Sequence, residues 1–229
     1  MPPKNPWTNI SWKNTIADCD KAAVQKYLVG FGRCTAKRQI HNEMLPEPFI
    51  GDLGANVYLL NGNPGFSTSD LLLVNDSTFE KQIQDTLNQV SRSFMWLQKS
   101  TSVIYKDLHS GYNWWNRVMK EVLKKKAHPR ICNIEYYPYH SCSIPAGLPY
   151  LPSNAYVDCY INDAIDNGKW IIIMRCEKKW LLRIPRLKSY KYKFVCSSVR
   201  NNTISPQNLL NAKGNKITSL EWNTLLSLM

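Results

Sequence analysis

Asn61-Gly62-Asn63-Pro64-Gly65-Phe66-Ser67 follows directly on the apolar run Val57-Tyr58-Leu59-Leu60. An apolar strand that ends in a Gly/Pro/Asn turn sets backbone N–H groups and a short polar side chain at the carboxyl edge of a sheet, where open α/β folds bind ligands. Three further apolar runs end on polar residues. Ile131–Tyr136 carries Asn133 and Glu135 and leads into Pro138-Tyr139-His140-Ser141, Trp170–Met174 leads into Arg175, and Tyr192–Cys196 leads into Ser197-Ser198-Val199-Arg200-Asn201-Asn202. In a parallel sheet these ends share one edge, so residues far apart in sequence converge on one crevice. Asn63 can orient a water but cannot take its proton near neutrality, so a titratable helper is expected among Asp70, Glu135 and His140. Phe66, Tyr136, Tyr137 and Tyr139 offer stacking faces, and Arg and Ser side chains offer donors to a leaving group that gains negative charge.

The elements that must position these residues are legible as alternating patterns. Strands are expected over Asn56–Leu60, Ile131–Tyr136, Trp170–Met174 and Tyr192–Cys196, with helical periodicity between them, which predicts an α/β fold around a mainly parallel sheet. Ser77-Thr78-Phe79-Glu80 reads as a capping box opening a helix to about Trp96, and Trp115, Val118, Met119, Val122 and Leu123 recur at helical spacing before Lys124-Lys125-Lys126. Further helices are expected over Thr15–Val29, over Asn154–Asn167 ahead of Gly168, from Ser205-Pro206 to Gly214, and from the capping box Thr218-Ser219-Leu220-Glu221 through Leu228. One domain over 1–229 is the simplest account, with 1–55 as an N-terminal elaboration and 56–229 as the α/β core.

Composition bounds the partners. With 44% hydrophobic residues, 8 Trp and 12 Tyr, the chain is not disordered, and it lacks both a signal-peptide pattern and a membrane-length apolar run, so a soluble cytoplasmic or otherwise intracellular protein is expected. Its seven cysteines are scattered without a C-x-x-C pair, which reads as reduced thiols and no metal site. Ten basic and no acidic residues lie between Lys178 and Leu220, so most of the net charge of +12 is concentrated there. A field of this kind suits the phosphates of a polyanion.

The motif Asn61-Gly62-Asn63-Pro64-Gly65 resembles the first motif, written G-I-N-P-G, of the mismatch/thymine-specific branch of the uracil-DNA glycosylase superfamily. Pro138-Tyr139-His140-Ser141, Arg175 with Trp180, and Ser197 to Leu209 resemble segments of its divergent members. The resemblance implies a three-layer α/β/α fold with a four-stranded mainly parallel sheet. It also implies excision of a base by hydrolysis of its N-glycosidic bond, with no cofactor. Carried over position by position, Asn63 would hold the attacking water, Phe66 would help line the base pocket, Glu135 or Asn133 would take the base-reading place, and Ser198, Arg200 and Asn201 would fall in the second motif, which supports the leaving base and approaches the DNA backbone. Beside that carry-over, Asp70 and His140 are the candidate catalytic helpers, Gly62 a further residue of the base site, and Arg175, Lys191 and Lys193 candidate DNA contacts. Asn61 stands where the motif has Gly, position 63 is not Asp, and the last segment has neither H-P-S nor N-P-S, which points away from ordinary uracil specificity.

A carboxylate accepts from the exocyclic amine of cytosine, so Glu135 is expected to read a cytosine-like edge. The expected activity is that of a monomeric DNA glycosylase acting on a noncanonical or modified pyrimidine flipped from duplex DNA or met in a single strand. Modified cytosine in phage DNA, and with it a defence role, is the substrate this assignment suggests. The alternatives are a catalytically silent DNA-binding module on the same fold and, less consistent with the clustered cations, a hydrolase of free nucleotides.

Overall fold

The computed structural model describes residues 3–30, 36–98, 110–198 and 200–229. Six strands, β1 (Phe49–Gly51), β2 (Val57–Leu60), β3 (Cys132–Ile134), β4 (Trp170–Ile173), β5 (Lys193–Cys196) and β6 (Leu209–Leu210), form one mixed sheet in the order β1-β3-β2-β4-β5-β6. The four apolar runs supply its four inner strands, and these are mutually parallel. The sheet is nevertheless six-stranded rather than four-stranded, because β1 and β6 pair antiparallel at its two edges. Both are too short for a period of two to register in sequence. All residues of β2 and β4 are buried, as continuous apolar runs in a parallel sheet covered on both faces must be.

Helices pack around this sheet: α1 (Lys21–Gly30), α2 (Ser77–Leu87), α3 (Ser110–Val118), α4 (Lys120–Leu123), α5 (Asn154–Asp166), α6 (Glu177–Arg183) and α7 (Ser219–Leu228). Helix α7 starts on the expected capping box, with Thr218 Oγ1 accepting from Glu221 N at 3.1 Å and Glu221 accepting from Thr218 N at 2.7 Å. Helix α2 differs from expectation at both ends. Asp76, not Ser77, caps it by accepting from Phe79 N at 2.8 Å, which frees Glu80 to accept from Trp12 N. It stops at Leu87, two residues before Gln89 takes a left-handed φ of 55°, and Trp96 lies on a separate short turn, Met95–Leu97.

The helix expected from Ser205-Pro206 to Gly214 is a turn followed by β6. Its residues are claimed by the end of β5 instead. The Asn208 amide accepts from Ser197 Oγ and Ser198 N and donates to the Asn201 and Thr203 carbonyls, which knots the loop and leaves Leu209–Leu210 extended beside Val195 and Cys196.

The described part of the first 55 residues is not peripheral. Asp20 is buried and accepts from Tyr139 Oη at 2.8 Å, Ser153 Oγ at 2.6 Å and Ser153 N at 3.0 Å, tying the entry of α1 to the entry of α5 and to the segment after β3. Trp7 is buried against Tyr139. Six cysteines are free thiols, and Cys34 lies outside the described residues. Among the described residues no helix is long and apolar enough to cross a membrane.

Candidate active site

The carboxyl ends of β2, β3 and β4 open into a cavity of about 270 Å³. Its walls include Asn61, Asn63 and Phe66 from the turn after β2, Glu135 and His140 from the segment after β3, and Arg175 after β4. Asp70, Trp96, Ser110, Trp114 and Trp115 complete its lining. Asn63, Asp70, Phe66, Glu135, His140 and Arg175 are thus brought together from three strand ends, as the parallel arrangement requires. Asn61 and Glu135 come side by side because Leu60 pairs with Ile134 in the β2/β3 register.

Asn63 is fixed by its own turn. Its Nδ2 donates to Ser141 O at 2.8 Å, to Ser141 Oγ at 2.9 Å and to Pro64 O at 2.9 Å, so the amide nitrogen is committed to protein. The acceptor end, Oδ1, is the part left to orient a water. Asp70 is held as the partner in a capping box, accepting from Ser67 N at 2.5 Å and from Ser110 Oγ at 3.4 Å. One face of Phe66 is covered by a stacked His41 ring.

His140 is 5% exposed and its Nδ1 donates to Gly65 O at 2.7 Å; against a carbonyl oxygen that nitrogen must carry the proton. Its Nε2 faces Glu47 Oε1 at 3.6 Å, while Glu47 Oε2 accepts from Trp96 Nε1 at 3.1 Å. Burial pulls His140 down, but the Glu47 hydrogen bond and charge, with Asp70 and the Gly65 carbonyl, outweigh it and hold the imidazole above its ordinary range. His140 is therefore better suited to stay cationic than to act as a base.

Glu135 is 6% exposed. Its Oε1 accepts from Asn133 Nδ2 at 2.8 Å, and Asn133 Oδ1 in turn accepts from Asn61 Nδ2 at 3.0 Å. Burial pushes the carboxyl up to about 8, with the charge of Glu47 adding to it and the Asn133 bond, Arg175 and His140 opposing. At neutral pH it is a carboxylic acid. This reverses the expectation that Glu135 would accept as a carboxylate: a neutral acid can donate from one oxygen. Arg175 lies over the Trp114 ring, 5.6 Å from its centroid, at the cavity wall rather than out on a surface facing DNA.

Comparison with family models, with characterised proteins and with solved structures returns no match. The site therefore stands on its geometry.

Other expected residues lie elsewhere. Asn133 is fully buried within β3 and does not line the cavity; it is the middle of the relay that aims Glu135. Gly62 is also absent from the wall, because the space beside it is filled: a Cβ there would stand 2.4 Å from Ile144 Cδ1 and 3.2 Å from Cys176 Sγ. Ser198, Arg200 and Asn201 follow β5, one strand beyond β4, and do not line the cavity. Val199 lies outside the described residues.

The basic segment does not form one patch. Lys191 and Lys193 stand at the amino end of β5, on the sheet edge opposite the cavity, and Lys193 is buried with its Nζ donating to Lys188 O at 3.3 Å. Arg183 pairs with Asp158 at 2.7 Å, Arg186 with Asp166, and Lys216 donates to Gln207 O. Lys178, Lys179 and Arg200, which follow the carboxyl ends of β4 and β5, are exposed on the same edge as the cavity. Sequence reasoning missed Glu47 and the tryptophan wall. Glu47 reaches the site because Glu135 N donates to Pro48 O at 3.0 Å and so extends the β1/β3 pairing, a juxtaposition without a sequence signature.

Proposed function

We propose that this chain is a monofunctional DNA glycosylase that hydrolyses the N-glycosidic bond of a noncanonical or modified pyrimidine turned out of DNA, leaving an abasic site. The observation that carries the reading is the convergence of Asn63, Phe66, Glu135 and Arg175, from three parallel strand ends, on one cavity. At about 270 Å³ that cavity falls below the roughly 300–1,000 Å³ of pockets for drug-sized ligands, a size suited to a single ring. The exposed cations Lys178, Lys179 and Arg200 on the same edge suit backbone phosphates.

In this reading Asn63 Oδ1 orients a water toward the sugar C1′. The water oxygen forms the new bond to C1′ as the bond to the base nitrogen breaks, and its electron pair leaves with the base. Arg175 and the neutral Glu135 acid are donors for the charge that develops there, and donors fixed in place act strongly on developing charge. The water's proton passes to Glu47, whose Oε1 lies 3.6 Å from His140 Nε2.

Incubation with duplexes carrying uracil, a thymine mismatch or modified cytosines, followed by alkaline cleavage at abasic sites, tests the reading. Strand breaks with one of them are expected, and none with any of them would overturn it. The commitment of Asp70 to a cap favours weighing the second reading, a silent DNA-binding module. Asn63→Ala separates the two: the glycosylase loses excision and keeps DNA affinity within about threefold, whereas a silent module shows no excision to lose.

A further inference from the structure

A second cavity, of about 410 Å³, opens beside the amino end of β3 and shares no described residue with the first. Arg130 precedes β3 and Asp52 follows β1, and the antiparallel pairing of Gly51 with Cys132 brings both to that end, away from the carboxyl ends that carry Asn63 and Glu135. Phe94 and Pro129 are buried in its lining and Leu97 is half-buried, whereas Arg92, His128 and Arg130 are exposed. The cavity thus has an apolar floor under a cationic rim.

Asp52 is the one acid among its described lining residues, and it is fully engaged. Buried at 2% exposure, it accepts from Gly54 N at 2.7 Å through Oδ1 and from Arg130 Nε at 2.5 Å through Oδ2. Because Arg130 spends Nε on this bond, the buried carboxylate fixes its guanidinium and leaves both Nη groups unbonded among the described residues. Arg92 has no ion-pair or hydrogen-bond partner among them. Lys125 and Lys126, just before Ala127, are likewise unpaired there, whereas Lys124 is taken by Glu121. The field at the mouth is therefore positive.

A guanidinium fork held in place beside a second free arginine is a donor set for an anion with several oxygens, and its planar geometry matches phosphate. A bare anion would have no use for the apolar floor, and an uncharged ring none for the arginines. The volume lies within the roughly 300–1,000 Å³ of small-molecule pockets. We propose that this cavity binds a phosphate monoester carried on a ring-bearing body of nucleotide size, with Arg92 and Arg130 on the phosphate and Phe94, Leu97 and Pro129 against the body. The inference is independent of the reading of the first cavity. A free nucleotide and the 5′-phosphorylated end of a strand both present this chemistry.

The test is calorimetry on the full-length protein with thymidine 5′-monophosphate, thymidine, inorganic phosphate and 5′-phosphorylated tetrathymidylate. The mononucleotide is expected to bind at least tenfold more tightly than thymidine and than inorganic phosphate, and to move the amide NMR signals of Leu97, Ala127 and Arg130. Arg92 is exposed and unpaired, so Arg92→Gln should keep the wild-type circular dichroism spectrum while weakening the mononucleotide at least tenfold. Tetrathymidylate binding as tightly as the mononucleotide supports a strand end as the source, and binding more weakly supports a free nucleotide.

Thymidine or inorganic phosphate matching the mononucleotide would overturn the proposal, because either the phosphate or the body would then go unrecognised. Undiminished binding to Arg92→Gln, or no binding of any probe, would overturn it too.

Discussion

His140 and Glu47 meet inside the cavity wall with Nε2 and Oε1 3.6 Å apart, each about 95% buried, although one follows β3 and the other precedes β1. Against its burial the imidazole is held above its ordinary range chiefly by Glu47, with Asp70 adding to it.

Glu47→Gln is expected to lower the His140 pKa, because the largest upward influences on the imidazole come from Glu47. A histidine whose folded pKa is raised contributes stability that is fully present below its unfolded value, near 6.5, and lost as pH rises through the folded value. The variant should therefore be destabilised by about 3 kcal/mol at pH 6 and by clearly less at pH 9. Imidazole proton shifts in NMR titrations and thermal melts at the two pH values check this. An unshifted His140 titration would contradict the pairing.

Glu135→Gln should behave in the opposite sense. Burial raises the carboxyl from an ordinary 4.5 to about 8, so the folded state holds a proton that the unfolded state has released, and stability falls as pH climbs through that interval. Gln keeps the acceptor for Asn133 Nδ2 and has no proton to lose. Wild type and variant should melt alike at pH 4.5, with the variant ahead at pH 9 by on the order of 4 kcal/mol. A constant difference across pH would show that Glu135 does not titrate in this range.

Gly62→Ala should destabilise the protein by about 1–3 kcal/mol, since the new methyl would overlap Ile144 Cδ1 at 2.4 Å. Pairing it with Ile144→Val, which removes the δ methyl, should restore most of the loss. Denaturant midpoints of the single and double variants measure the coupling, and simple additivity would argue against this contact.

Asp20→Ala leaves the Tyr139 hydroxyl and two Ser153 donors without an acceptor in a buried setting, and should cost about 3 kcal/mol or more. Limited proteolysis should then release the first 30 residues earlier than in the wild type. Cleavage elsewhere first would mean that α1 is anchored by other contacts.

Much of the sheet was legible from sequence, because strands buried on both faces must be continuous apolar runs. Val57–Leu60 and Trp170–Ile173 are such runs, and their polar ends named Asn63 and Arg175 as residues of one edge. Thr218 and Glu221 likewise announced the start of α7, since a capping box is a local hydrogen-bond exchange. Local chemistry of this kind needs no partner from elsewhere in the chain. Edge strands β1 and β6 carried no such mark: three and two residues cannot display a period, and Asn208 overrode the helix that Ser205-Pro206 proposed by bonding to the end of β5.

Only the tertiary structure decided the chemistry of the wall. The sequence shows Glu135 as a carboxylate like any other, and burial against Glu47 makes it an acid. It shows Lys193 as one more cation in a basic segment, and its place at the first residue of β5 hides it on the far edge. It shows Asn61 as a departure from a glycine. The pairing of β2 with β3 turns that residue into the head of a relay that runs through Asn133 to Glu135. Residue types and local spacing are properties of the chain alone, whereas solvation and partnership depend on what packs alongside, and those two decide charge state and hydrogen-bond direction.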